Sequence, residues 1–370
     1  MTKEVSVNIV IERNGMPKRP IKVVVCYSRA GAPSDDHSDI LNRFDCLGVP
    51  VKVQFHPYEE TADSRSLRGA ATGSIVARSM IAPPDRALCC ALRDANVVLA
   101  LDLPFGMEKL APRLAWVQAA SAGVDHLMAT GLERTSVRVT TAAGIGASSI
   151  AEFVMGRIVA HWKHFAHFER QQRQHRWEPM YGRSLSGSSI AIIGLGSIGN
   201  SIARRAHSWE MRVLASRRTA STDQIPFVDR FYDVSEWPAM LAEADAAVLC
   251  LPASSQTLHL FDRSLFSAMK EGSFFCNVAR GSLVDERALR DALLSGHLSG
   301  AAIDVAEQEP LSPDSPLWDV PNLMISPHSA VSLDRYVENL WDLFFDNMRR
   351  FVAGIPLRNL HQTGRNIDRP

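Results

Sequence analysis

The chain has 370 residues, 46% of them apolar, and that length favours two domains over a single core. Its 40 basic and 40 acidic side chains cancel, so no broad field for nucleic acid or an anionic membrane surface is expected. The six cysteines show neither framework spacing nor a C-x-x-C pair, so reduced thiols are expected rather than disulfides or a metal site.

In chain order, the alternation of Val5, Val7, Ile9 and Ile11 predicts a first strand. Met1 to Val10 lacks the apolar core of a signal peptide, and no apolar run reaches the roughly 20 residues of a membrane span, so a cytoplasmic protein is expected. Residues 21–25 and 51–55 are β-branched runs that predict strands. Residues 61–80 show no clear period and read as a loop or insertion. Residues 95–101 and 114–118 predict two more strands. A helix is predicted to run to about Gln172, with Ser148 or Ser149 as N-cap and Glu152 placed to complete a capping box with Ser149. From Ser189 to Ser326 short apolar runs alternate with helical segments, which predicts a parallel sheet covered on both faces. A last amphipathic helix over 333–352 is stopped by Gly354 and Pro356.

Ile190-Ala191-Ile192-Ile193 runs directly into Gly194-Leu195-Gly196-Ser197-Ile198-Gly199 and then a helical pattern. Gly194 permits a tight turn, Gly196 leaves room for a pyrophosphate, and Gly199 lets helix and strand pack closely. The helix start offers free N–H groups to the phosphates. A second glycine run, Gly144-Ile145-Gly146, lacks the following strand that would complete a βαβ unit. At Gly194 that strand arrives over Met211 to Ala215 and ends in Ser216-Arg217-Arg218. An NAD-binding unit usually carries an acid here for the ribose hydroxyls; an arginine instead matches a 2′-phosphate. The site therefore points to NADP(H), with NAD(H) left open.

Three polar residues follow apolar runs in this half: Arg280 after 274–278, Glu309 after 300–305 and His328 after 323–326. Ligands of open α/β sheets bind outside the carboxyl ends of the strands, which would bring the three to one crevice. Arg280 can hold a carboxylate and polarise a carbonyl, and His328 can give or take a proton at neutral pH. Glu309 would stabilise the protonated ring and fix its orientation. That set suits hydride transfer between a nicotinamide dinucleotide and a 2-keto or 2-hydroxy acid.

With those motifs in order, the chain resembles the D-isomer-specific 2-hydroxyacid dehydrogenases, the family of glyoxylate/hydroxypyruvate reductases and phosphoglycerate dehydrogenase. The similarity runs from about Ile21 and is densest from Gly187 to His328, including Asn277 to Glu286, Gly300 to Pro310 and Ser326 to Ala330. It implies an α/β fold of two doubly wound parallel-sheet domains, a Rossmann nucleotide-binding domain inserted in a flavodoxin-like substrate domain. The expected division is residues 1–148 and 329–370 for the substrate domain and 149–328 for the dinucleotide-binding domain. Arg280, Glu309 and His328 would be catalytic. Leu251, Pro252, Asp304, Val278 and Ala279 would join Gly194, Gly196, Ser197, Ile198, Gly199, Ser216, Arg217 and Arg218 around the cofactor. Ala122, Gly123 and Val124 would hold the substrate carboxylate through backbone amides. The resemblance further implies a homodimer. Arg217 in place of an acid, the long 61–80 segment and residues 1–20 depart from the family pattern. Phosphite oxidation on the same fold and a corepressor-like dinucleotide sensor are the alternatives.

Other signals read as structural. His161, His164 and His167 drift around a helix instead of forming a ligand face. Trp162, Phe165 and Phe168 read as core or dimer interface, Cys89 and Cys90 as core, and Arg204 and Arg205 as a solvated face.

Overall fold

A computed structural model describes residues 19–30, 38–61, 64, 65, 68, 81, 83–216, 226–252 and 257–361. The strand expected at 5–11 and the Arg217-Arg218 pair lie outside the described residues. The contacts divide the chain into two units, Met1–Ile145 with Leu333–Pro370, and Gly146–Ser332.

The first unit holds a parallel sheet of β1 (Ile21–Val25), β2 (Val51–Phe55), β3 (Val97–Ala100), β4 (Trp116–Ala119) and β5 (Arg138–Thr140). Its order, β2-β1-β3-β4-β5, is that of a flavodoxin-like sheet. Every residue of β3 and β4 is buried, because helices cover both faces; this is why these strands read as unbroken apolar runs. The helices are α1 (Ser38–Asp45), α2 (Arg86–Asp94), α3 (Met107–Leu110), α4 (Asp125–Met128) and, after the chain returns, the last helix α11 (Tyr336–Ala353). On α11, Leu340, Trp341, Phe344, Phe345 and Met348 form one buried stripe against Phe44 and Trp116. Full burial of each such side chain is worth about 1.5–3 kcal/mol, so this stripe fastens the helix to the sheet. Gly354, at φ 67°, ends it.

The second unit holds β6 (Ser189–Ile193), β7 (Arg212–Ser216), β8 (Arg230–Tyr232), β9 (Ala246–Leu249), β10 (Ser273–Asn277), β11 (Leu298–Ile303) and β12 (Leu323–Ile325). All pair in parallel, in the order β12-β11-β10-β9-β6-β7-β8. This is the doubly wound nucleotide-binding order, and it reverses between β6 and β9. Its helices are α5 (Ala147–Trp162), α6 (Phe165–Arg173), α7 (Ser197–Ser208), α8 (Trp237–Glu243), α9 (Arg263–Ala268) and α10 (Glu286–Leu294). Ile190 and Ile192 enter one apolar layer while Ala191 and Ile193 enter the other, the two-residue alternation of a strand buried on both faces. Asp245, just before β9, accepts hydrogen bonds from the Ser189 N–H and hydroxyl and ion-pairs with Arg183 and Lys270. Burial would raise its carboxyl, but these donors outweigh that and hold it at about 2.

Several expectations need correction. The long helix breaks into α5 and α6, with His164 in the left-handed region at φ 57°. At the break the Trp162 carbonyl accepts the Arg183 N–H at 2.9 Å, in place of the N–H a continuing helix would supply. The capping box is absent. Gly146 is the N-cap, Ser149 donates to the Gly146 carbonyl, and Glu152 accepts from Ser148 and Arg205. Arg205 is thus a tie between α5 and α7 rather than a solvated side chain. The described residues Ser64, Arg65 and Arg68 are helical, where a loop was expected. Cys90 is exposed and Cys89 half-buried, so α2 turns neither thiol fully into the core. Trp162 is buried in the core, in line with its reading, and Phe165 and Phe168 are exposed, so of the two readings given for them the core one falls.

Candidate active site

The turn after β6 forms the first half of the site. Gly194 has φ 106°, a region that only glycine adopts without strain, and a Cβ there would sit 2.8 Å from the Cys250 carbonyl oxygen. A Cβ on Gly199 would sit 2.2 Å from the Gly194 carbonyl oxygen, so α7 packs against the turn at a distance no side chain allows. Gly196 differs, since a Cβ there would meet nothing within 4 Å. Open space above Gly196 and an N-terminus of α7 without a side-chain cap fit a pyrophosphate seat. The 12-residue α7 starts at Ser197, which is exposed, and Ile198 packs half-buried on the core. The glycine run near Gly144 leads nowhere comparable, because β5 belongs to the first unit and α5 to the second.

Leu251 and Pro252 follow β9, on the other side of the point where the strand order reverses. The Ser216 hydroxyl accepts the Trp237 indole N–H at 2.6 Å, and its carbonyl accepts the Gly194 N–H at 3.0 Å. The protein's own core therefore engages both groups, which fixes the end of β7 against the glycine turn.

The second half of the site lies at the carboxyl ends of β10, β11 and β12, on the same edge of the sheet. Arg280 follows β10 and is part-buried; one of its guanidinium N–H groups donates to the Ala279 carbonyl at 2.6 Å. The buried amide of Asn277 shapes this loop, donating to the Arg280 carbonyl at 3.0 Å and accepting the Ala279 N–H at 3.0 Å. The Val278 N–H donates to Leu249. A Cβ on Gly281 would sit 1.9 Å from the Ala306 carbonyl carbon, so glycine lets this loop meet the one after β11. That loop carries Glu309, whose Oε1 accepts the Ala306 N–H at 3.2 Å and whose Oε2 lies 2.8 Å from His328 Nδ1. Burial would raise the Glu309 carboxyl. The His328 hydrogen bond and charge, the Ala306 N–H and the Arg280 charge outweigh it, leaving the group below its ordinary range. Glu309 therefore stays ionised at neutral pH and holds the imidazole by Nδ1, leaving Nε2 for other partners.

Asp304, read from sequence as a cofactor residue, has both carboxylate oxygens on donors of the His328 loop. Asn277 and Ser326 were not singled out in the sequence. The one available signal was a polar side chain closing an otherwise apolar strand.

In the first unit, Ser121-Ala122-Gly123-Val124 follows β4; the Ser121 hydroxyl donates to the Gly123 carbonyl at 2.7 Å, Ala122 is exposed and Val124 is buried at the start of α4. The loop after β3 is pinned from beneath. Asp102 is 0% exposed and accepts two hydrogen bonds from Arg65, at 2.8 and 2.5 Å, and one from the Glu60 N–H. Arg68 pairs with Glu60, donates to the Leu103 carbonyl and lies over Phe105. His161 meets Ser299, and His167 meets Gln171. No helix among the described residues is long and apolar enough to cross a membrane.

Residues 155–330 match the family described as "D-isomer specific 2-hydroxyacid dehydrogenase, NAD binding domain". Among relatives, D-3-phosphoglycerate dehydrogenase of Archaeoglobus fulgidus is 30% identical over 67% of this chain, which spans only 47% of that protein's length. Glyoxylate reductase of Thermofilum pendens is 31% identical over 74% of this chain and 83% of its own. A solved structure of a D-isomer specific 2-hydroxyacid dehydrogenase from Xanthobacter autotrophicus Py2, in complex with NADPH and MES, superposes with a TM-score of 0.72 at 27% identity, covering 94% of this chain and 99% of its own.

Proposed function

This chain belongs to the D-isomer specific 2-hydroxyacid dehydrogenase family, and we propose that it is an NADP(H)-linked reductase of small 2-keto acids of the glyoxylate and hydroxypyruvate class, yielding the D-2-hydroxy acid where the product is chiral. The observation that carries this reading is the ionised Glu309 holding His328 by Nδ1 beside the Arg280 loop. When bound, a nicotinamide dinucleotide supplies or accepts the hydride. Gly194, Gly196, Ser197, Ile198 and Gly199 would hold its pyrophosphate, with Leu251, Pro252, Val278 and Ala279 bordering it. Arg280 binds the substrate carboxylate and draws charge from the keto oxygen. His328 donates a proton to that oxygen in reduction and removes it from the hydroxyl in oxidation. Glu309 keeps the ring oriented and balances its charge. Ala122, Gly123 and Val124 are assigned to the substrate carboxylate through their backbone N–H groups. Residues 1–148 and 329–370 form the substrate domain in this reading, and 149–328 the dinucleotide-binding domain.

The NADP(H) preference rests on Ser216-Arg217-Arg218, which lacks an acid, and on the NADPH held by the Xanthobacter relative. Purified protein is mixed with glyoxylate, hydroxypyruvate, pyruvate or phenylpyruvate, and loss of NADPH and NADH absorbance is followed. We expect kcat/KM with NADPH to exceed that with NADH by about 10-fold, the worth of one charge-assisted contact to a 2′-phosphate. Better use of NADH overturns the preference, and no turnover with either overturns the reductase reading.

A homodimer is supported by aromatic surface in the segment after α6, where Trp177 is 99% and Tyr181 90% exposed. A cytoplasmic location is supported by the free cysteines. Sedimentation equilibrium in non-reducing buffer is expected to give twice 40.8 kDa with all six thiols titratable after denaturation. A 40.8 kDa species would sink the dimer, and oxidised thiols the location.

A further inference from the structure

His328 sits in a loop that the chain does not adopt readily. Its φ is 50°, in the left-handed region that a Cβ disfavours. Something has to hold it there, and the holding groups converge on one residue. Asp304, 4% exposed at the end of β11, accepts the Ser326 hydroxyl at 2.7 Å and the Ser329 N–H at 2.9 Å on Oδ1. On Oδ2 it accepts the Ala330 N–H at 3.0 Å. Its backbone carbonyl accepts the N–H of His328 itself at 2.8 Å. Four donors from residues 326–330 thus end on Asp304, whose own N–H is tied to the Asn277 carbonyl at 3.0 Å. The clamp joins the loop of the histidine to the strand end that leads to Arg280.

We propose that Asp304 is the positioning residue of His328: its carboxylate stabilises the left-handed turn that aims the imidazole at Glu309. A bent backbone at a functional residue persists only where surrounding bonds over-determine it, and Asp304 supplies those bonds. Asparagine is the informative replacement. It keeps the size of the side chain but turns one acceptor oxygen into an NH2 donor. Placed at Oδ2, the NH2 faces the Ala330 N–H; placed at Oδ1, it faces the Ser326 hydroxyl and the Ser329 N–H. Either orientation sets donor against donor, so the loop relaxes towards ordinary backbone angles and the ring leaves Glu309. This inference rests on the reading of His328 as the proton carrier, although the turn itself can be tested without turnover.

Asp304→Asn and Ser326→Ala are compared with the unaltered protein. The first readout is the NMR spectrum of histidine-labelled protein without substrate or cofactor, together with hydrogen exchange of the Ser329 and Ala330 amides. Asp304→Asn is expected to shift the His328 ring signals and speed exchange of both amides. In turnover it is expected to lower kcat by about 30-fold, with the KM for the keto acid changed less than about threefold, as displacement of a reacting group dictates. The dissociation constant for NADPH, from quenching of tryptophan fluorescence, is expected to stay within about twofold, because the clamp acts on the loop. Ser326→Ala, which removes one donor and leaves the backbone bonds, should show the same ring shift at smaller amplitude. The proposal is overturned if the ring signals and amide exchange of Asp304→Asn match the unaltered protein. It is equally overturned if loss of activity is accompanied by a parallel loss of NADPH affinity with the His328 signals unmoved, which would make Asp304 a cofactor ligand. If the unaltered protein reduces no keto acid while Asp304→Asn still frees the loop, the proposed reaction falls and the clamp stands.

Discussion

Replacing His328 by alanine is expected to lower kcat for keto-acid reduction by about 10³-fold while leaving the NADPH dissociation constant unchanged. The size follows from the geometry at Nδ1. The imidazole is bound there to a carboxylate held below its ordinary range, 2.8 Å away, so Nε2 is left to meet the substrate oxygen. Among the described residues beside it, neither neighbour replaces the ring as proton donor: Glu309 is ionised, and a guanidinium is not a proton donor of the needed acidity. Each tenfold step in rate is about 1.4 kcal/mol of barrier, so the expected loss is about 4 kcal/mol, the range of a positioned general acid. Cofactor affinity should not follow, because the phosphate-binding turn lies after β6 and His328 after β12, at separate strands of the sheet. Steady-state kinetics at saturating NADPH, with fluorescence titration of the same samples, check both halves. A variant within fivefold of the parent kcat would remove His328 from the chemistry. Glu309→Gln should cost less, because an amide oxygen still accepts from Nδ1 and only the charge is lost.

What the sequence made legible follows from the range of each interaction. The turn at Gly194 could be read because its requirements are local: a strand, three glycines at fixed spacing and a helix. The strand ends at Arg280, Glu309 and His328 stood out because each is a polar residue within a few positions of the end of an apolar run. The clamp on residue 304 was not legible. Its bonds span 22 to 26 residues and exist only once β11 and β12 lie in register. The break at His164 was hidden for a similar reason: no glycine or proline marks it, and the donor that satisfies the last carbonyl of α5 comes from Arg183, 21 positions away. Arg65 looked like part of a featureless segment, yet its guanidinium reaches Asp102, 37 positions away. Periodicity finds elements and strand-end chemistry; it does not find the polar side chains that tie one loop to another.

Gly196 and Gly199 of the phosphate turn should respond in opposite ways to substitution, and this separation is the second large effect expected. Gly196→Val is expected to leave thermal stability within about 0.5 kcal/mol of the parent, as for a substitution that touches nothing. Its φ of −87° suits any residue, and its Cβ enters open space. That same space is where a pyrophosphate would approach the backbone, so the branched side chain should weaken NADPH by about 100-fold, the worth of one or two hydrogen bonds to a charged group. Gly199→Ala behaves differently. Its Cβ would overlap the Gly194 carbonyl at 2.2 Å and press on Ile192 at 3.2 Å, so α7 must lift from β6. Overpacking of this kind costs about 1–3 kcal/mol, and the melting temperature should fall with or without cofactor present. Thermal melts and NADPH titrations on the two variants distinguish a ligand seat from a packing contact. If Gly196→Val binds NADPH as tightly as the parent, the space above Gly196 is not where phosphate sits, and the N-terminus of α7 loses its assignment. If Gly196→Val instead unfolds, the openness at that position is contradicted. Only the combination of a stable fold with lost affinity at Gly196, and lost stability at Gly199, matches a turn in which one glycine makes room for the ligand and the other for the helix.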